Sequence, residues 1–373
     1  MIVCQKWVSL TPEAISQQLD AWREQWPALG VLALLPEAEK AALPVLQSAC
    51  RERSVTLAGA VFPALIVDDR FVSTGVWLIG FERMPNHFLI PDLGTAAVDK
   101  LAQAIKAGRP EGQPTLFLVF DSMQPNVASI LHRLHQAIGN CVGYAGVNAG
   151  SETFQPMPCL FDATQLVGQG ALGLFLPEVS RVAVKHAYPV SKTLMRSTSA
   201  QGNRIDRIDN RPAFEVYRDV IAAEYGIALT HENFYDYAVH FPFGLVTAVD
   251  VLVRIPVAFN ADGSLFCVGE VPPNSMLRLL KAAEAGDEAC VTGLAQSLGL
   301  PQAGGEPMPL LTFYCAGRRM HLGEAAEREI AHLKALTAAP LVYGALSLGE
   351  IDQLEDLSIP RFHNAALVCL SQA

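Results

Sequence analysis

The sequence is poor in charge and holds no long apolar run. Asp, Glu, Lys and Arg make up 17% of its 373 residues. The longest apolar stretches, residues 31–35 (VLALL) and 115–120 (TLFLVF), are strand-length, far below the roughly 20 residues that a membrane-spanning helix needs. A transmembrane helix is thereby excluded. Residues 1–10 place Lys6 behind a short apolar patch with no following hydrophobic region or small-residue cleavage site, so secretion is not expected. The eight cysteines stand singly, without a C-x-x-C pair or the even spacing of a disulfide framework, and read as reduced thiols of a cytoplasmic protein. A formal net charge of -10 without clustered Lys and Arg argues against a nucleic-acid or anionic-membrane surface. No G-x-G-x-x-G follows a strand to open a helix, and Walker A, H-E-x-x-H and G-x-S-x-G are missing, which disfavours the enzymes built on them.

What is present is apolar material, 51% of the chain, ample for buried cores in a chain whose length suggests two domains. Thr11-Pro12-Glu13 reads as a helix cap with proline at the first helical position. Strand-like runs at 30–35, 55–60, 71–81 and 115–120 alternate with helical spacing at 40–53, 95–107 and 127–138. Residues 141–150 are punctuated by glycine, and 197–211 form a polar, turn-rich stretch. A proline-started helix is expected after Pro272-Pro273. The expected fold is therefore α+β, in two domains, residues 1–208 and 209–373. Each is expected to be a mixed β-sheet with helices packed on its outer face.

Particular strings resemble the FIST N and FIST C domain pair. The junction runs from Arg181-Val182-Ala183-Val184-Lys185-His186 through Gly202-Asn203-Arg204-Ile205 to 210–217 (NRPAFEVY). Further on come Phe241-Pro242-Phe243-Gly244, Tyr314-Cys315-Ala316-Gly317-Arg318, Gly344, Gly349-Glu350-Ile351 and His363-Asn364, in the family's order. The resemblance implies a cytoplasmic small-ligand sensor of signal transduction. The short, soluble NosP subset, which this chain also resembles, implies haem b, nitric oxide sensing, and a partner histidine kinase or cyclic-di-GMP enzyme. FIST domains more widely imply amino-acid-like ligands without haem, and F-box proteins carry the same pair as an interaction module.

His186, at the end of an apolar strand, ranks first as a haem-iron ligand beside Tyr188. The competing reading is a histidine bonded to its neighbouring turn. His240 lies in an aromatic segment suited either to a flat apolar ligand or to plain core. Arg204 belongs to a cluster with Arg196, Arg207 and Arg211 that suits carboxylates or haem propionates, or else salt bridges between domains. Cys315 precedes Arg318 and Arg319, whose charge is expected to favour thiolate, and a cysteine-dependent small-molecule enzyme is the rival reading. Glu350 either accepts a hydrogen bond from a ligand amine or caps a turn. His132 and His135 share a helix face at zinc-compatible spacing, with no further ligand evident.

Overall fold

The computed structural model describes residues 2–176, 180–284, 286–300, 308–354 and 359–372. It is an α+β fold of mixed sheets with helices on their outer faces, as expected. Its plan is a single unit built three times.

The first unit runs β1 (Ile2–Val8), α1 (Pro12–Gln25), β2 (Gly30–Pro36), α2 (Leu43–Glu52), β3 (Thr56–Phe62), a hairpin of β4 (Leu65–Val67) and β5 (Arg70–Val72), then β6 (Val76–Phe81). The second runs β7 (His87–Ile90), α3 (Ala97–Gly108), β8 (Thr115–Asp121), α4 (Val127–Ile138), β9 (Gly143–Ala149), the hairpin β10 (Leu160–Asp162) and β11 (Leu166–Val167), then β12 (Ala171–Leu176).

The third opens with β13 (Ser180–Lys185) and is interrupted by an inserted β-rich domain. The insert comprises β14 (Val190–Gln201), β15 (Arg204–Ile208), β16 (Arg211–Pro212), α5 (Ala213–Tyr225), α6 (Phe234–Ala238), β17 (Phe243–Val246), β18 (Val251–Arg254), β19 (Pro256–Phe259), β20 (Leu265–Cys267) and β21 (Met276–Leu280). The unit then resumes with α7 (Ala289–Leu298), β22 (Leu310–Cys315), α8 (Ala316–Leu322), α9 (Ala325–Thr337), β23 (Val342–Ser347), the hairpin β24 (Glu350–Leu354) and β25 (Ile359–His363), and β26 (Leu367–Gln372).

In each unit the central strand is parallel to the next, with helix in the crossover that a parallel pair requires. The unit's last strand lies antiparallel on the other side. The hairpins are exchanged in a ring: β10–β11 extends the first sheet, β24–β25 the second and β4–β5 the third. Inner faces of the three sheets share one apolar core, where Phe313 packs against Phe62 and Phe117 at centroid distances of 5.6 and 5.7 Å. Helices α3 and α4 cover the outer face of the second sheet, and α7 and α9 that of the third. The central strands are buried on both faces, which is why they read as unbroken apolar runs.

Several sequence expectations need correction. Within the glycine-punctuated stretch 141–150, residues 143–149 form strand β9. Gly59, Gly146 and Gly344 occupy the same place in the three units, and a Cβ there would stand 2.5, 2.1 and 1.8 Å from the carbonyl oxygen of Ala33, Leu118 and Thr312 on the paired strand. The glycines let strands approach each other. The run at 71–81 splits at Ser73–Gly75 between two sheets, the polar stretch at 197–211 is hairpin, and strand β21 replaces the expected helix after Pro273.

Candidate functional site

The insert closes over the carboxyl ends of the parallel strands of the second and third units, where α/β sheets place their ligands. Two adjoining cavities of about 300 and 260 Å³ lie there, sharing Phe154, Val257 and Val268. Cross-ties hold the lid: Ser129 N donates to Glu270 Oε2 at 2.8 Å, and Arg254 donates to Phe362 O at 3.1 Å. Buried Arg254 also donates to the Glu270 and Val253 carbonyls at 2.8 Å, and burial lowers its pKa to about 10.

Buried polar groups in this wall depart from the repeat. Glu350 opens its hairpin opposite Val147; the same place in the other units holds Leu65, opposite Ala345, and Leu160, opposite Ala60. Asn148, two residues beyond Gly146, stands where the others have Val61 and Leu346. Aliphatic side chains would serve the packing at both positions. Asn148 is 3% exposed with Oδ1 unpartnered among the described residues, and Asn364 is 1% exposed with neither Oδ1 nor Nδ2 partnered. Leaving such a group unpaired costs about 1–3 kcal/mol, so each one calls for an explanation.

Asn364 is held in place by its neighbours. Ala365 has a positive φ of 56°, strained for a residue with a Cβ. Its N–H donates to Cys315 Sγ at 3.1 Å, and the N–H of Ala366 donates to Glu350 Oε2 at 3.4 Å. Ser347 Oγ donates to Glu350 Oε1 at 2.5 Å. Burial raises the Glu350 carboxyl to about 8, against the smaller opposing pull of these hydrogen bonds, so it stays protonated at neutral pH. Phe154, with a positive φ of 53°, forms the mouth with Tyr235 and Met320, 40%, 62% and 66% exposed.

The expected thiolate at Cys315 is corrected by the structure. Burial pushes the thiol well up, and so, to a lesser degree, does Glu350 once it ionises above neutral pH. Arg318 is committed to Glu329 at 2.6 Å and to the His186 carbonyl at 2.8 Å, and Arg319 stacks on Phe71. Of the other candidates, His186 lies in a separate groove of about 570 Å³ with Asp250, Asp352, Arg361 and His363. Its Nδ1 accepts from Tyr188 N at 3.0 Å and its Nε2 donates to Val251 O at 2.8 Å. Burial drops its pKa to about 4.

Tyr188 is buried under Arg318. His240 touches His321 through Nδ1 of each, and His321 Nε2 donates to Ala283 O at 2.7 Å. Arg204 pairs with Asp206 and Asp262 on the surface, and Arg211 with Asp219. His132 bonds Gln136 along its helix, and His135 lies edge-on to Tyr144.

A haem axial ligand needs a free imidazole nitrogen. His186 offers none, His240 does not line the cleft, and Arg204 and Arg211 are already paired, so these residues do not fit haem.

Residues 31–211 match the FIST N domain and residues 213–353 the FIST C domain. The chain belongs to the FIST family. FIST domains are sensory domains of signal-transduction proteins. No curated protein matches the chain. The seam between the two matched domains, Pro212, lies inside the insert, so the FIST C match contains most of the insert together with α7 to β24. Asn364, Cys315 and Glu350 all fall in strings that carried the resemblance. Asn148, Ser347 and Arg254 escaped sequence reading, because only the comparison of the three units marks Asn148 as out of place.

Proposed function

We propose that this FIST protein senses a small organic ligand bound in the cleft between its three-unit core and the inserted domain. The Asn364 carboxamide carries this reading: it is buried, unpaired among the described residues, and held at the cavity wall by a strained turn. A ligand that pairs with it gains what the empty protein forgoes. Because the cleft is walled by core on one side and insert on the other, occupancy favours one placement of the insert over others. A partner protein, such as a histidine kinase or a cyclic-di-GMP enzyme, then reads that placement.

The ligand is sensed without haem in this reading, since both nitrogens of His186 are already engaged. The test is mass spectrometry of small molecules released from the purified protein, alongside hydrogen exchange across residues 251–270. A compound retained by the native protein, lost from Asn364→Leu, and slowing exchange in that segment is the expected result. Protein from haem-replete cells that shows a Soret band, moved by nitric oxide and lost in His186→Ala, overturns it in favour of haem sensing.

A further inference from the structure

We propose that the cleft selects a neutral ligand carrying an N–H and C=O pair, an amide, on an apolar body, and rejects carboxylates. This rests on the cleft reading above and specifies its ligand class. Asn364 presents an unpaired acceptor, Oδ1, and an unpaired donor, Nδ2. A carboxylate supplies acceptors alone and an ammonium group donors alone, whereas an amide supplies one of each. Asn148 Oδ1, in the adjoining lobe, is a second acceptor wanting an N–H.

Charge decides against an anion, since the lining carries the carboxylates of Glu270 and Glu152. Among the described residues lining the two lobes there is no Lys, Arg or His. Neither buried guanidinium of this region lines the lobes: Arg254 donates to three backbone carbonyls, and Arg318 to Glu329 and the His186 carbonyl. A carboxylate entering this wall sheds water without finding a cation. Glu350, behind Asn364, is protonated at neutral pH, and the Glu270 carboxylate already accepts from the backbone N–H and the hydroxyl of Ser129. The exposed Phe154, Tyr235 and Met320 at the mouth supply apolar surface for the ligand's body.

Three isosteric probes separate the possibilities: phenylacetamide, phenylacetate and benzyl methyl ketone, titrated at millimolar concentration into the full-length protein by ligand-observed NMR. The amide is expected to bind at least about tenfold tighter than either of the others. Asn364→Leu should abolish that preference, with its fold verified by circular dichroism. Asn148→Leu, which installs the aliphatic type of the other two units, is the second variant should the first not fold. If phenylacetate or the ketone binds as tightly as the amide, and Phe154→Ala weakens it, the ligand class is wrong and the cleft stands. If no probe binds, or binding ignores Asn364, Asn148 and Phe154 alike, the cleft reading falls and this inference with it.

Discussion

Replacing Glu350 by glutamine should remove a defined part of the protein's pH-dependent stability. The carboxyl sits at about 8 in the folded protein against an ordinary 4.5, chiefly through burial. The folded state therefore keeps a proton that the unfolded chain has released. Stability from this group is fully present below pH 4.5, declines as pH rises, and is lost once pH passes about 8. The slope is about 1.4 kcal/mol per pH unit, amounting to about 4–5 kcal/mol over the whole window. Histidines oppose it lower down: burial depresses His186 to about 4 and also lowers His240 and His321, so stability falls as pH drops below their ordinary 6.5.

The histidines still contribute between pH 6.5 and 8, so the difference between the native protein and Glu350→Gln isolates Glu350, with an expected loss of about 2 kcal/mol in the native protein relative to the variant. Glutamine keeps one acceptor, for the N–H of Ala366, can donate its Nε2 to the Ser347 hydroxyl, and cannot ionise. Urea unfolding at half-unit pH steps should show the native protein losing stability relative to Glu350→Gln across this range, with the variant the more stable at pH 8. Parallel curves for the two proteins would refute the assignment of a protonated Glu350.

Thiol chemistry tests the environment of Cys315. Under native conditions at pH 7 its labelling by iodoacetamide should be on the order of a hundredfold slower than that of half-buried Cys141, as read by peptide mapping; equal rates would mean an accessible thiolate. Gly146→Ala should cost at least about 3 kcal/mol in urea unfolding, because its Cβ would stand 2.1 Å from the backbone oxygen of Leu118 and both strands are clamped by further pairing. A loss below 1 kcal/mol, on the order of a surface change, would refute the close approach of β8 and β9.

Local structure was readable wherever a local cause produces it. Thr11 caps α1 through its hydroxyl with Pro12 following, and α4 ends at Gly139 with a positive φ, as their residue types require. The apolar runs at 31–35 and 115–120 are central strands because burial on both faces demands that composition. The resemblance likewise rested on short strings, and these include Cys315, Glu350 and Asn364. Their roles were not readable. The arginines after Cys315 suggested a thiolate, yet Arg318 turns to Glu329, eleven residues along the chain, and leaves the thiol to its buried surroundings.

The sequence by itself determined the α+β class, most helices, the central strands and the family, because capping, periodicity and apolar runs act between near neighbours. Tertiary structure alone decided the threefold plan and the cleft. Hairpin β4–β5 joins a strand almost three hundred residues later, and no local pattern records such a partner. Only once the units are superposed in register do Glu350 and Asn148 appear as polar groups in aliphatic places. Whether a buried amide is satisfied depends on atoms brought to it by the whole fold, and for Asn364, a residue of the cleft wall, those atoms leave donor and acceptor without a partner among the described residues.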